Sequence, residues 1–426
     1  MVDVAIAGGL TRRRSVARSA ATDVTGERVA VVATGLAVVF LPLAVPTGPA
    51  NTAPADLFIG VALAASLLWA TAARHRWGFP FVIPVAIFMA GGAVGGLIGP
   101  LPGHAVVALI QDAVLLLWCW TVSNVCRSPS NLRFLLRTWA YSSIAWAVTP
   151  IVGLITGSAA LTGQTVNQGA RVQITLADPS YAANYFFISI MVIWATQCPR
   201  RRPFRLAAYA LLVTGILLTG SNSGVLSLAV GTVIAAVVGL YRRFGSVAAI
   251  TAFAFIALAA FAIGSNVSLS SIQDQASGSR YAFIRDGLGR DTSVQQRGML
   301  LHESMTLYRQ GNPLGEGPVT TKVRLEQQGA PFQKEAHDDY IAALIERGVI
   351  GFVGLLLLVA ALLGRTGGIA VGRLKEGFAA AVPRPNALLG AVVGTLVAGG
   401  VYELLHVRHV WGLFGLVAGL YAWGRQ

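Results

Sequence analysis

Charge is what this 426-residue chain has least of. Only 12% of its residues are charged, about half the usual share for a soluble domain, while 55% are hydrophobic. That balance excludes a disordered chain and is a poor fit to one or two soluble globular domains. Cysteine is scarce too: Cys119, Cys126 and Cys198 lie in or beside apolar stretches, so no disulfide framework is implied. No Cys/His spacing suits a metal, and the first polar connection offers only Asp56 in place of a paired-carboxylate motif for a metal-bound sugar phosphate, so no metal or other cofactor is expected. No Walker A motif occurs, so ATP is not the obvious energy source. A secretory signal peptide is not evident either. Arg12, Arg13 and Arg14 are followed by more polar sequence, and the first apolar stretch runs on without a small-residue cleavage site. No internal repeat is clear enough to indicate an inverted-repeat transporter.

What the chain has is long apolar runs. A bilayer core takes about 20 mostly apolar residues per helix, and on that basis the sequence predicts twelve spans: 29–46, 55–73, 80–99, 105–122, 134–156, 181–197, 205–220, 222–240, 247–264, 340–363, 386–402 and 408–424. The fold class is therefore an all-α polytopic membrane protein. Its predicted organisation is a cytoplasmic tail at 1–28, spans one to nine over 29–264, a large extracytoplasmic loop at 265–339 and the last three spans over 340–426.

The formal net charge is +14, which in a soluble protein would point to nucleic acid. Its distribution says otherwise. The two tails and the even-numbered gaps hold 21 basic and four acidic residues, whereas the other side of the alternation holds 11 basic and 13 acidic. Basic residues mark cytoplasmic loops, so both termini are expected in the cytoplasm and no nucleic-acid partner is implied.

Residues 265–339 break the rhythm of short gaps, with eight basic and nine acidic residues in 75 positions. A stretch this long in a compact membrane protein is usually functional. It ends in Gln333-Lys334-Glu335-Ala336-His337-Asp338-Asp339-Tyr340, directly before a span. Either aspartate suits the cap of that helix. His337 can take a proton near neutral pH, with adjacent carboxylates orienting it; an interfacial histidine that merely tolerates both phases is the plainer reading. Tyr340, Leu344 and Arg347 share a helical face, and Gly348, Gly351 and Gly354 permit close helix packing. Arginines 280, 285, 290, 297, 309 and 324 of the loop could fork onto phosphate oxygens, or simply face solvent or lipid headgroups. Met299–Tyr308 reads as a helix and Asn312–Pro318 as a turn-rich wrap. Two further polar helix ends, Asp178-Pro179-Ser180-Tyr181 and Thr219–Gly224, lie on the same predicted side, as does Arg171. Asp112 inside span four costs roughly 2.5–3.5 kcal/mol if central and calls for a partner or water. Glu403, His406, Arg408 and His409 crowd the last outer turn, where they could pair with one another or join a site.

In order along the chain, four of these segments resemble the O-antigen ligase and polymerase superfamily of membrane glycosyltransferases, of the GT-C type. Asp178-Pro179-Ser180-Tyr181 is similar to the family's Asn/Asp-Pro-Asn helix start. Leu218–Gly224 is similar to its Thr-x-Ser-Arg-Gly turn. Asp291–Arg297 with Asn312–Gly317 is similar to the start of its external loop. His337-Asp338-Asp339-Tyr340, Leu344, Glu346, Gly348 and Gly351 resemble its His-Asn-x-Tyr…Leu…Glu-x-Gly-x-x-Gly signature. The resemblance covers about residues 170–355 and implies transfer of a glycan from a polyprenyl-pyrophosphate carrier to an acceptor hydroxyl on a glycan or glycolipid, at the outer face of the cytoplasmic membrane and among membrane lipid, without metal or nucleotide. It implies that His337 activates the acceptor and that Arg297 holds pyrophosphate. Arg171 and Arg280 join that set by location and chemistry, and Asp338, Asp339, Tyr340 and Glu346 by support. Two departures stand out: Asn222 replaces the turn arginine and Asp338 the asparagine after the histidine. Ligase and polymerase are not separated by these residues. The alternative reading is a twelve-span transporter or lipid-linked glycan flippase, although such proteins normally place polar groups at the bilayer midplane, and these spans hold few.

Overall fold

The computed structural model of the chain describes residues 24–48, 52–73, 77–165, 169–266, 275, 277–280, 285, 292–327, 329 and 338–426. Helix α1 covers 24–40. It is followed by α2 (Pro54–Ala73), α3 (Val82–Ile98), α4 (Pro102–Val125), α5 (Pro129–Thr156), the single turn α6 (Ala159–Thr162), α7 (Pro179–Thr196), α8 (Arg202–Thr219) and α9 (Asn222–Asn266). The loop region contributes α10 (Thr292–Gln310) and α11 (Thr320–Gln327), after which come α12 (Asp339–Val371), α13 (Glu376–Ala381), α14 (Asn386–Gly399) and α15 (Arg408–Gly424). No strand occurs among the described residues; Leu374 and Arg425 form one isolated bridge.

Local chemistry sets the helix ends. Pro102, Pro129 and Pro179 sit in the first turns of α4, α5 and α7, where a missing N–H costs nothing. Asp178 caps α7 through the Ser180 N–H at 2.6 Å, and Ser128 caps α5 through Asn131. Gly157 and Gly220 end α5 and α8 in the left-handed conformation.

Packing follows membrane logic. Helix α7 is the buried axis, with Tyr185, Phe186, Phe187 and Ile188 inaccessible, and α15 lies in the same core through Leu413, Phe414 and Val417. Outward-facing positions are apolar as well: Leu57, Leu68, Leu97, Ile155 and Phe255 are each at least 70% exposed. A soluble protein does not present such a surface; lipid accepts it. Where water-driven burial does not hold helices together, small residues let backbones approach. Gly91 of α3 lies so near Gly351 of α12 that a Cβ there would stand 2.3 Å from the Gly351 nitrogen.

Six described helices, α2, α4, α5, α8, α9 (to Ala259) and α12, are long and apolar enough to cross a membrane, and α3 and α14 are shorter apolar ones. A helix covers most of each predicted apolar stretch, with α1 lying five residues earlier at its start than the predicted 29–46. Spans 222–240 and 247–264 form the single run α9, broken only at Gly245 (φ 85, ψ −174) beside Arg242 and Arg243. The residues of the gap, Tyr241 to Ser246, stay helical except Gly245, whose missing Cβ allows the positive φ. The loop also holds more helix than its polarity suggests, since α10 begins seven residues before Met299 and ends two after Tyr308.

Candidate functional site

The polar helix ends singled out in the sequence converge at one end of the bundle. Arg171 donates from Nε to the Thr219 carbonyl at 2.9 Å, and the Val172 N–H reaches Leu218 O at 3.1 Å, so the segment before α7 is laced to the α8–α9 turn. That turn contacts the start of α7 through Ser221 and Ser180 at 3.2 Å. Asn222 opens α9 there, its Oδ1 buried without a partner.

The start of α7 in turn meets the 400–407 connection. The Tyr181 hydroxyl and His406 Nε2 are 2.5 Å apart, and the Tyr181 ring packs edge-on against Tyr402. Burial pushes the Tyr402 phenol well above its ordinary value, and the neighbouring Tyr181 and Asp178 push in the same direction. Within the crowd Glu403–His409, two residues reach different helices. Arg408 forks onto Asp56 at 2.5–2.6 Å, while His409 contacts Asn184 at 3.0 Å.

The same connection is fixed to α12. Asp339 accepts the backbone N–H groups of Leu404 (2.9 and 3.0 Å) and Leu405 (3.1 Å), and the Tyr340 hydroxyl donates to Leu396 O at 3.0 Å. The cap is Asp338, whose Oδ1 accepts from Tyr340 N and Ile341 N at 2.8 and 3.0 Å. Burial raises the Asp338 carboxyl above the usual carboxylate range, and these two hydrogen bonds oppose the rise. The two aspartates, equivalent on paper, thus divide the work: one starts the helix and the other docks a distant turn.

Along α12 the loop is clamped. Gly348 leaves the helical region (φ 62, ψ −170), where a Cβ would stand 2.2 Å from the Leu314 carbonyl carbon. This break frees the carbonyls of Ile345 and Glu346, which accept Glu316 N at 3.0 Å and Gly317 N at 2.9 Å; Val349 N reaches Pro313 O at 2.9 Å. The Glu346 carboxylate holds the next turn, accepting from Thr321 Oγ1 at 2.7 Å and Val319 N at 3.0 Å. Arg324 of α11 forks onto Glu316 at 2.7 and 3.2 Å, and that contact raises the arginine's affinity for its proton. The turn-rich segment therefore wraps α12 itself. Arg347, one residue on, points the other way, pairing with Asp112 at 2.5 Å and lying 4.0 Å over the Phe88 ring.

Of the sequence-predicted residues, Arg171, Asp338, Asp339, Tyr340 and Glu346 all take part in this joined region. Arg280 is exposed. Arg297 lies on α10, and His337 lies outside the described residues. Sequence reasoning missed Tyr402 and the Glu316–Arg324 and Asp56–Arg408 pairs. The last left a signal: a single acid at one helix start faces a single cation at another. Among the described residues no group of three His, Cys, Asp or Glu side chains could hold a metal.

No curated protein matches the chain at a significant level. A family model does: residues 206–356 match the one described as O-antigen ligase. The match runs from α8 into α12, across the Thr219–Gly224 turn, the loop helices and the segment that begins at His337; the Asp178 segment precedes it. Over that stretch the chain of this multi-pass membrane protein is similar to the O-antigen ligase superfamily, in agreement with the order of its motifs.

Proposed function

We propose that the chain is a polysaccharide ligase or polymerase that moves a glycan from a polyprenyl-pyrophosphate carrier to an acceptor hydroxyl at the outer face of the cytoplasmic membrane, with both termini in the cytoplasm. The observation that carries this reading is the lacing of three family-like segments, Asp178–Tyr181, Thr219–Gly224 and Asp338–Gly351, into one end of the bundle, with the loop clamped on top.

The chemistry needs a base, cations for the departing diphosphate and little else. His337 takes the acceptor proton while the acceptor oxygen forms the new bond to the anomeric carbon. The bond from that carbon to the phosphate oxygen breaks, and its electron pair leaves with the lipid diphosphate. Arginine suits that leaving group because it stays protonated and forks onto phosphate oxygens. Arg171 is the best supported of the three. Its guanidinium lies against the Thr219 carbonyl, at the very turn where Asn222 replaces the family's arginine. Arg297, on α10, and Arg280 belong to the same long polar stretch as the clamped segment. Asp338 and Asp339 fix the helix start that follows His337, with Tyr340 and Glu346 holding the neighbouring turn and loop. No step calls on a metal or a nucleotide.

The test is reconstitution of the purified full chain with a lipid-linked oligosaccharide and an acceptor glycan, without ATP and with a chelator present. Product is expected with the native chain and none with His337→Ala, while thermal stability of that variant stays unchanged. Transbilayer movement of the donor without any product would refute the enzyme reading and favour a flippase.

A further inference from the structure

The end of the bundle opposite the candidate site carries a second feature. Arg133 and Arg137 stand one turn apart near the start of α5, and Arg200 and Arg201 occupy the connection between α7 and α8. All four line one cleft of about 560 Å³, together with Tyr141 and Phe204. A second, open lobe of about 650 Å³ shares Arg133, Arg137 and Tyr141 and continues toward α1 past Phe134. No acidic side chain lines either lobe, and among the described residues no carboxylate pairs with any of the four guanidinium groups.

The arrangement is built. Arg205 folds its Nη1 back onto the carbonyls of Gln197, Pro199 and Arg200 at 3.1, 3.2 and 3.4 Å. That satisfies the turn from within and leaves Arg200 and Arg201 exposed beside the cleft. Around the charges lie exposed aromatics, Phe134 (41%), Tyr141 (54%) and Phe204 (59%). Four cations in one concavity repel each other unless an anion joins them. Exposed rings at their edge suit an anion with hydrocarbon attached. Basic recesses between helices at a membrane surface take phosphate headgroups on this principle, and arginine is the side chain whose fork matches phosphate oxygens.

We propose that this cleft binds the phosphate headgroup of an anionic phospholipid, with its acyl chains along Phe134, Tyr141 and Phe204. A free phosphate ion shares the headgroup chemistry; the aromatic rim favours the lipid. The site is independent of glycan transfer and survives if that reading fails.

The experiment uses the purified full chain in nanodiscs or detergent, with lipid binding read by native mass spectrometry. The probes are phosphatidylglycerol, phosphatidylcholine and inorganic phosphate. Two double variants are compared with the native chain, Arg133→Gln with Arg137→Gln and Arg200→Gln with Arg201→Gln. The control is Arg242→Gln with Arg243→Gln, which removes two arginines beside the α9 break that line neither lobe. Each cleft variant is expected to weaken phosphatidylglycerol binding about thirty-fold, the sum of two headgroup contacts. The control variant and phosphatidylcholine binding stay as they were. Equal loss in the control would reduce the effect to general surface charge and overturn the proposal. So would undiminished binding in both cleft variants, or inorganic phosphate binding as tightly as the lipid. A thermal melt of each variant, expected to match the native chain, separates lost binding from lost folding.

Discussion

The ion pair between Asp112 and Arg347 allows a quantitative test of how the membrane helices are tied together. Asp112 stands ten residues into α4, about 15 Å along its axis, and its side chain is 17% exposed against 10% for Arg347. The contact is a single 2.5 Å bond from Nη2, with Nη1 buried and unpartnered and the guanidinium over the Phe88 ring. Asp112→Leu leaves that cation with only the ring. Stranding one partner of a buried pair costs about 3–5 kcal/mol. Arg347→Met alone strands the carboxylate at a similar cost. The double variant removes both desolvation penalties, so its stability should return to within about 1 kcal/mol of the native chain or exceed it. The double-mutant cycle should therefore give a coupling of about 5 kcal/mol or more. The assay is unfolding of the purified chain in mixed micelles by detergent titration, with all four proteins measured together. Single losses below about 1 kcal/mol, or losses that add within about 0.5 kcal/mol, would refute the view that the pair is a desolvated tie.

Further expectations concern the loop clamp, the glycine seam and the cap. Glu346→Ala removes three charge-assisted hydrogen bonds, the two short ones together about 3 kcal/mol, so amide exchange in residues 318–327 should accelerate about a hundred-fold while 313–317 stays protected; unchanged exchange in 318–327 would count against the clamp. Gly91→Ala drives a methyl into the Gly351 backbone and should cost about 1–3 kcal/mol in the same detergent titration, where native stability would disprove the close approach. Asp338→Asn keeps the cap acceptor but removes a carboxyl that burial makes hard to ionise. Because its folded pKa is raised, the native chain loses stability as pH climbs from the ordinary carboxylate value through the folded one. The asparagine variant should gain over the native chain in that window and match it below; an advantage that shrinks as pH rises would contradict the assignment.

The sequence was most legible where one physical rule acted alone. Apolar runs placed nearly every helix because nothing but a helix satisfies its own backbone in lipid. Asp178-Pro179 marks a polar helix start, which lies two residues ahead of the predicted span at 181. The Gly348–Gly354 spacing announced a close contact, but its partner, Gly91, lies far along the chain, and periodicity has no means of naming it. The gap at 241–246 is legible from Arg242 and Arg243, but that only Gly245 leaves the helix there is not, since polar residues at a span end do not show how many turns unwind. Asp338 and Asp339 could not be told apart, since which one caps depends on the Leu404 and Leu405 amides. In the same way Arg171 was one cation among many until Thr219 was found beside it.

One consequence of the bend at Gly348 concerns biogenesis. A transmembrane helix with free carbonyls near its end exposes to lipid groups that lipid cannot satisfy. Here the amides of Glu316 and Gly317 cover them, so residues from the polar loop complete the backbone of a membrane helix. This polar segment is accordingly part of the membrane framework, and α12 reaches its final form only once residues 313–317 have folded onto it. Shortening the loop would then block assembly of the bundle before it touched the chemistry.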